Sequence, residues 1–172
     1  MNIIVTGDVC AGKTTVCNKV IDALRKSGFS CGGIITLKIP GDSLAVMDIQ
    51  LGEAVTLAIP GDKYGGPLVP KFTFDPEGIA FGLRAIENGT LADILFVDEI
   101  GLIEAMGEGF IGALDIINQN KGKPNIIVIR EEMVEYLVPG FHDEPILFNT
   151  TGQSRNNLPA DIISLIRKKP SS

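Results

Sequence analysis

The residues best suited to chemistry lie near the amino terminus, where positions 7–14 have the sequence G-D-V-C-A-G-K-T. This segment fits the pattern G-x-x-x-x-G-K-[ST] at every fixed position. Gly7 and Gly12 let the backbone wrap closely round a polyphosphate, with its N–H groups pointing inward. Lys13 can place a positive charge against the β- and γ-phosphates, and the Thr14 hydroxyl is a hard oxygen ligand suited to Mg²⁺. The residues predicted to form this phosphate loop are Gly7, Asp8, Val9, Cys10, Ala11, Gly12, Lys13 and Thr14.

Two adjacent acids, Asp98 and Glu99, follow the apolar stretch I-L-F-V at positions 94–97. At the carboxyl end of a strand, Asp98 can hold Mg²⁺ together with Thr14, either directly or through water. Glu99 can orient or deprotonate the attacking water, which is the general-base role of a carboxylate beside a γ-phosphate. Taken alone, the pair could equally be two solvated acids that cap a strand. Because the phosphate loop is present, we predict that Lys13 and Glu99 are catalytic and that Thr14 and Asp98 hold the metal.

Two arginines are candidates for sensing or stabilising the γ-phosphate. Arg130 follows the apolar strand predicted at 125–129, at the sheet edge where ligands gather in open α/β folds. Arg155 lies in a polar loop before the last predicted helix. For each of them, an ordinary surface position is an equally good interpretation. Arg25 and Arg84 fall on outward helix positions and are set aside.

Composition excludes several classes of function. With 172 residues, of which 45% are hydrophobic, the chain suits one domain covering 1–172. A net charge of −6 lacks the electrostatic footprint of a protein that binds nucleic acid or an anionic membrane. No apolar run approaches the ~20 residues that cross a bilayer, and the first residues lack a signal-peptide pattern. Cys10, Cys17 and Cys31 lack metal-ligand spacing and His142 is the single histidine, so we expect reduced thiols, no zinc chemistry and a cytoplasmic setting. We also expect a monomer, although no residue pattern determines the oligomeric state.

Alternating strands and helices must hold these residues in place. Apolar periodicity and turn residues predict an α/β fold with a mostly parallel sheet and helices on both faces. Asp75 and Pro76 predict a helix start, since Asp is a good N-cap and Pro fits the first helical position. Residues 31–74 form the exception, an antiparallel strand-rich segment after the first helix with a loop at 60–67. The predicted strands are 2–6, 31–37, 44–50, 54–59, 69–74, 93–97, 125–129 and 145–148, and the predicted helices are 13–26, 76–87, 109–119, 131–137 and 158–168.

Four segments occur in an order that resembles one family. They are residues 7–15, G-I-I-T at 33–36, V-D-E-I-G-L-I-E at 97–104, and T-x-x-x-R at 151–155. Together they resemble the THEP1-type nucleoside triphosphatases over nearly the whole chain. The resemblance implies a RecA-like P-loop core and slow, Mg²⁺-dependent hydrolysis of ATP, GTP and other nucleoside triphosphates to diphosphates. The resemblance also extends the set of predicted nucleotide-binding residues. The residues it contributes are Thr15, Ile94, Leu95, Phe96, Val97, Asp98, Glu99, Ile100 and Gly101.

Two other functions stay open at this point. The phosphoryl acceptor could be a metabolite, which would make the protein a small-molecule or nucleotide kinase. Against that, adjacent Asp98 and Glu99 favour water activation, and the sequence has no arginine-rich lid. Alternatively, the protein could be a nucleotide-binding switch or adaptor in which hydrolysis acts as a timer. A dedicated GTP switch is disfavoured because the N-K-x-D pattern is absent, with Lys123 where the aspartate would stand.

Overall fold

A computed structural model of the chain describes residues 1–61, 68–69, 72–105 and 107–168. Within these residues, nine strands form one sheet: β1 (Asn2–Thr6), β2 (Cys31–Ile39), β3 (Ser43–Asp48), β4 (Ala54–Ile59), β5 (Leu68–Val69), β6 (Phe72–Phe74), β7 (Ile94–Ile100), β8 (Asn125–Ile129) and β9 (Ile146–Asn149). The helices are α1 (Lys13–Lys26), α2 (Pro76–Gly89), α3 (Leu102–Ala105), α4 (Gly112–Gln119), α5 (Val134–Leu137) and α6 (Leu158–Lys168). Short 3-10 turns lie at Glu131–Met133, Val138–Gly140 and Ser154–Asn156.

The sheet has a parallel half and an antiparallel half. Its strand order is β5-β6-β4-β3-β2-β7-β8-β1-β9. The pairs β2–β7, β7–β8, β8–β1 and β1–β9 are parallel, whereas β2–β3, β3–β4, β4–β6 and β6–β5 are antiparallel. The antiparallel half follows α1 directly, as predicted for residues 31–74. It makes the sheet mixed rather than mostly parallel across its whole width.

Helices cover both faces of the sheet and bury two hydrophobic cores, which confirms the predicted α/β class. On one face, α1 and α6 pack through residues such as Val20 and Ile162, both fully buried. On the other face, α2 and α4 pack through Ile86 and Ile117. The central strands are therefore buried on both sides, which is why their sequences are continuously apolar. No helix among the described residues has the length and apolar character needed to cross a membrane.

Most element boundaries agree with the sequence prediction, and the differences have local causes. The strand predicted at 44–50 ends at Asp48, because its carboxylate accepts hydrogen bonds from the amides of Gln50 and Leu51 and closes a turn. The helix predicted at 109–119 begins at Gly112, and the one at 131–137 is a 3-10 turn followed by α5. In place of one strand at 69–74 the structure has β5 and β6, with 70–71 outside the described residues. Most of the predicted loop at 60–67 also lies outside them.

The helix start predicted at Asp75 is confirmed in detail. The Asp75 carboxylate accepts a hydrogen bond from the Glu77 amide at 2.9 Å, and Pro76 takes the first helical position. This cap fixes where α2 begins as the chain leaves the antiparallel half of the sheet. The helix then crosses back over the sheet and leads the chain into β7. Strand β7 is the element that carries Asp98 and Glu99 to the edge where β1 delivers the phosphate loop.

Candidate active site

The loop between β1 and α1 has a backbone shape that depends on its glycines. Gly7 and Gly12 have φ values of 138° and 100°, in the region that side chains disfavour. A Cβ added at Gly7 would collide with the carbonyl oxygen of Thr150, the residue after β9, so the chain approaches the loop too closely there for any residue but glycine. Gly12 is the N-cap of α1 and provides no side-chain cap, so the amides of the first turn are left for another acceptor. A helix end of this kind attracts an anion.

Lys13 is already directed into the hollow of the loop. Its ammonium group donates to the carbonyl oxygens of Gly7 and Asp8, each at 2.8 Å, and the residue is only 5% exposed. These acceptors are neutral carbonyl oxygens, whereas a phosphate oxygen carries negative charge and attracts the ammonium group more strongly. A bound polyphosphate can therefore compete for Lys13 without the side chain having to travel from solvent.

Asp98 is a buried carboxylate without a partner. It lies near the end of β7, is 1% exposed, and neither of its oxygens accepts a hydrogen bond from the residues that the structure describes. Burial raises the pKa of Asp98 to about 7; the Thr14 hydroxyl and the Lys13 charge lower it, and Glu99 raises it. Thr36 on β2 donates from its hydroxyl to the backbone oxygen of Asp98 at 2.6 Å and fixes the strand there. A cation beside Asp98 would supply the missing partner.

The residues around Asp98 fit Mg²⁺. The Thr14 hydroxyl and the Asp98 carboxylate are both hard oxygen ligands, and they lie close enough for Thr14 to lower the pKa of Asp98. Within the described residues, no group of three or more His, Cys, Asp or Glu could hold a metal alone. That is the arrangement expected for Mg²⁺ in a nucleotide site, where phosphate oxygens and water complete the coordination. The structure therefore supports Thr14 and Asp98 as ligands of a nucleotide-bound metal.

Glu99 and Arg130 form an ion pair at the edge of the site. The Nε of Arg130 donates to Oε1 of Glu99 at 2.5 Å, and both side chains are partly exposed. Burial lowers the pKa of Arg130, and the carboxylates of Glu99, Glu132 and Glu104 raise it by more, so the guanidinium stays charged. Arg130 was predicted as a γ-phosphate contact, and the structure places it against the predicted base.

Glu104 organises the chain just after the two acids, a role that the sequence prediction did not assign. It is 3% exposed and accepts hydrogen bonds from the amides of Gly101 and Phe110 at 2.7 and 2.8 Å. Burial raises the pKa of Glu104, and these amides partly offset that effect. A Cβ at Gly101 would lie 3.5 Å from Nε of Arg130 and 3.7 Å from Oε1 of Glu99, at ordinary contact distance. The only sequence signal for Glu104 was its place in the segment 97–104.

The apolar residues predicted to contact nucleotide flank the two acids in β7, and their side chains point into the core. Their side chains are at most 1% exposed and belong to the two hydrophobic cores. They anchor β7 so that its end carries the acids at a fixed position. These residues are Ile94, Leu95, Phe96, Val97 and Ile100.

Arg155 lies on the opposite side of the phosphate loop from Glu99 and Arg130, beside helix α1. Its Cδ is 3.6 Å from where a Cβ of Gly12 would stand. The loop that carries it is held by Ser154, which donates to the Asn149 carbonyl at 2.8 Å. A cavity of about 220 Å³ opens here, lined by Gly12, Thr15, Val16, Lys19, Arg155 and Asn156. The two predicted arginines thus have different surroundings: Arg130 contacts Glu99, and Arg155 lines the cavity beside α1.

Lys38 is a further cation at the phosphate loop that the sequence prediction left out. Its ammonium group lies 3.7 Å from Sγ of Cys10, on the exposed side of the loop.

Cys10 is exposed, whereas Cys17 and Cys31 are buried, and all three are free thiols. Burial and then the Asp98 charge raise the pKa of Cys17, which shows that the inner face of α1 lies close to the acid pair.

Comparison with known proteins gives a consistent result. A family model described as NTPase matches residues 2–163. The nucleoside-triphosphatase THEP1 of Pyrococcus abyssi is 31% identical, over 98% of this chain and 93% of its own. That of Methanosarcina barkeri is 27% identical over 98% of both chains. Among solved structures, THEP1 from Aquifex aeolicus has a TM-score of 0.75 at 20% identity, and a human cancer-related nucleoside triphosphatase 0.79 at 22%. These two cover 98% of this chain and 100% and 98% of their own, and they show that the fold is shared.

Proposed function

This chain belongs to the THEP1 family of nucleoside triphosphatases, and we propose that it hydrolyses nucleoside triphosphates to nucleoside diphosphate and phosphate. One observation carries the assignment of this activity to specific residues. The buried, unpartnered Asp98 and its neighbour Glu99 end the strand that lies beside the phosphate loop, within electrostatic reach of Lys13 and Thr14. Nucleotide, metal and water can therefore meet at one edge of the sheet.

The phosphate loop binds the phosphates of the substrate. The amides of the loop and of the first turn of α1 donate to the phosphate oxygens, with Lys13 against the β- and γ-phosphates. These donors are fixed before the nucleotide arrives, so little reorganisation is needed as negative charge redistributes in the transition state. Mg²⁺, when bound, neutralises phosphate charge, and Thr14 and Asp98 would hold it.

Glu99 activates the water in this proposal. Its carboxylate accepts a proton from water as the water oxygen bonds to the γ-phosphorus. The bond from that phosphorus to the oxygen bridging to the β-phosphate breaks, and its electron pair leaves on the diphosphate. Asp98 does not serve as the base, because it is buried away from solvent and lies beside the Thr14 hydroxyl, with which it would hold the metal. The two adjacent acids thus have separate tasks that follow from their different exposure.

We place the nucleoside end of the substrate in the cavity beside α1. Gly12 belongs to the phosphate loop and also lines this cavity, so the two are continuous. Arg155 and Asn156 offer donors and a flat guanidinium surface for a base, without an acid among the lining residues to select guanine. Arg155→Ala should raise KM for every nucleoside triphosphate by a similar factor. A selective loss for one base would instead mean that Arg155 reads its edge.

Release of phosphate from a panel of nucleoside triphosphates, with and without candidate acceptors, separates hydrolysis from the alternatives. We expect slow, Mg²⁺-dependent release that needs no acceptor. Release only in the presence of a metabolite acceptor would indicate a kinase. Hydrolysis that becomes appreciable only with a protein partner would indicate a switch or adaptor. The acidity of the chain favours free nucleotide over nucleic acid, and we propose that it acts as a cytoplasmic monomer.

A further inference from the structure

The contact between Arg130 and Glu99 uses only part of each side chain. One carboxylate oxygen, Oε1, accepts from Nε of Arg130 at 2.5 Å. No hydrogen bond from the described residues reaches Oε2 of Glu99. A carboxylate held through a single oxygen has a fixed direction, and its second oxygen is left to accept a proton or a hydrogen bond.

Arg130 is itself held by a rigid part of the fold. It follows β8, whose residues are all buried, and β8 pairs directly with β7 next to the acids, with Ile129 opposite Ile100. The charges of Glu132 and Glu104 also favour the charged guanidinium at this place. Glu99, by contrast, sits where the register between β7 and β8 shifts after Val97, so its backbone alone does not fix its side chain. The ion pair supplies that constraint.

We propose that Arg130 is a positioning residue, which orients the Glu99 carboxylate through Oε1 so that Oε2 meets the attacking water. This inference rests on the proposed role of Glu99 as the base. It differs from the prediction that Arg130 contacts the γ-phosphate, because the partner that the structure gives Arg130 is the Glu99 carboxylate, and the two side-chain charges neutralise each other. In this role the guanidinium acts on the nucleotide only through Glu99.

A double-mutant cycle on kcat tests the proposal. The variants are Arg130→Ala, Glu99→Gln and the combination, with Arg130→Lys as the conservative change. Misplacing a catalytic group by about 1 Å can cost ~100-fold in rate, so Arg130→Ala should lower kcat ~10–100-fold and leave KM unchanged. Arg130→Lys should recover part of the rate because it keeps the charge. In the Glu99→Gln background, the further change Arg130→Ala should have almost no effect on kcat.

Binding measurements and a control variant complete the test. Affinities for a diphosphate and for a non-hydrolysable triphosphate analogue should be the same in wild type and Arg130→Ala. The matched control is Arg84→Ala, which changes an exposed arginine on α2 that has no part in the proposed site and should leave kcat and KM unchanged. Thermal unfolding of each variant shows whether it is folded. If Arg130→Ala is not folded, Arg130→Lys replaces it in the comparison.

Two results would overturn the proposal while leaving the proposed function standing. The first is a loss of affinity for the triphosphate analogue alone in Arg130→Ala, which would make Arg130 a γ-phosphate ligand. The second is a double variant whose loss is the product of the single losses, which would mean that the two residues act independently. Full activity in Glu99→Gln would be a different failure, since it would remove the base from the proposed mechanism and this inference with it.

Discussion

Replacing Asp98 with Asn should make the nucleotide-free protein more stable, and increasingly so as the pH rises. Burial raises the pKa of Asp98 from 3.8 to about 7 in the folded protein. The folded state therefore holds the proton more tightly than the unfolded chain does. The stabilising contribution of this proton is complete below pH ~4 and is lost as the pH rises through ~7. Asn keeps the size of the side chain and does not ionise, so it escapes that loss.

The size of the effect follows from the shift. A change of about 3 pKa units at 1.36 kcal/mol each gives ~4 kcal/mol in total, of which ~2.5 kcal/mol falls between pH 5 and pH 8. Urea denaturation at these two pH values, without Mg²⁺ or nucleotide, gives the free energy of unfolding of both proteins. We expect the stability advantage of Asp98→Asn over wild type to grow by about that amount at the higher pH.

The control for this experiment is Asp93→Asn. Hydrogen bonds from the Ser30 hydroxyl and amide lower the pKa of Asp93, so its stabilising contribution is present above pH ~4 and lost on acidification. Its removal should destabilise the protein at both pH 5 and pH 8. Addition of Mg²⁺ should narrow the Asp98→Asn advantage at pH 8, because the cation favours the ionised carboxylate of wild type. A stability difference for Asp98→Asn that does not change with pH would refute the assignment of a buried, unpartnered carboxylate.

Three further substitutions test the loop and its support. Gly7→Ala should cost ~3 kcal/mol or more of stability, since its Cβ collides with the Thr150 carbonyl. Gly28 also has a positive φ but lies in open space, so Gly28→Ala should cost only ~1–2 kcal/mol. Equal losses of stability in chemical denaturation would contradict this. Lys13→Ala should weaken nucleotide binding ~10–100-fold and also slow turnover, because one charge-assisted contact is lost. Titration calorimetry measures the affinity, and an unchanged value would remove Lys13 from the site. Glu104→Gln should destabilise the protein by ~1–3 kcal/mol, because the new NH₂ group must face a backbone N–H donor at Gly101 or Phe110. An unchanged free energy of unfolding would show that these two hydrogen bonds contribute little.

The phosphate loop could be predicted from sequence because its chemistry is local. Glycines at 7 and 12, a lysine and a threonine at fixed spacing determine both the backbone shape and the donors it presents. The acids at 98 and 99 were also predictable, because a run of apolar residues typical of a buried strand leads directly to them. The α/β class followed from the same alternation of strands and helices.

The partner of each site residue was not predictable, since tertiary packing chooses it. Nothing in the sequence near Arg130 says that β8 lies next to β7, and this neighbour relation is what places Arg130 against Glu99. In the same way, a β9 that pairs with β1 is what brings the Thr150 carbonyl onto Gly7. The early end of β3 depends on the side chain of Asp48 rather than on any loss of apolar periodicity.

Turnover and nucleotide binding of Glu99→Gln, measured side by side, test the central claim most directly. Gln keeps the shape of the side chain and accepts the Arg130 hydrogen bond through oxygen, but it does not take a proton from water. We expect single-turnover hydrolysis to be slowed by ~10²–10⁴-fold, the usual contribution of a general base, and the affinity for a non-hydrolysable triphosphate analogue to be unchanged. Hydrolysis at the wild-type rate would contradict it, because the water would then be activated without Glu99.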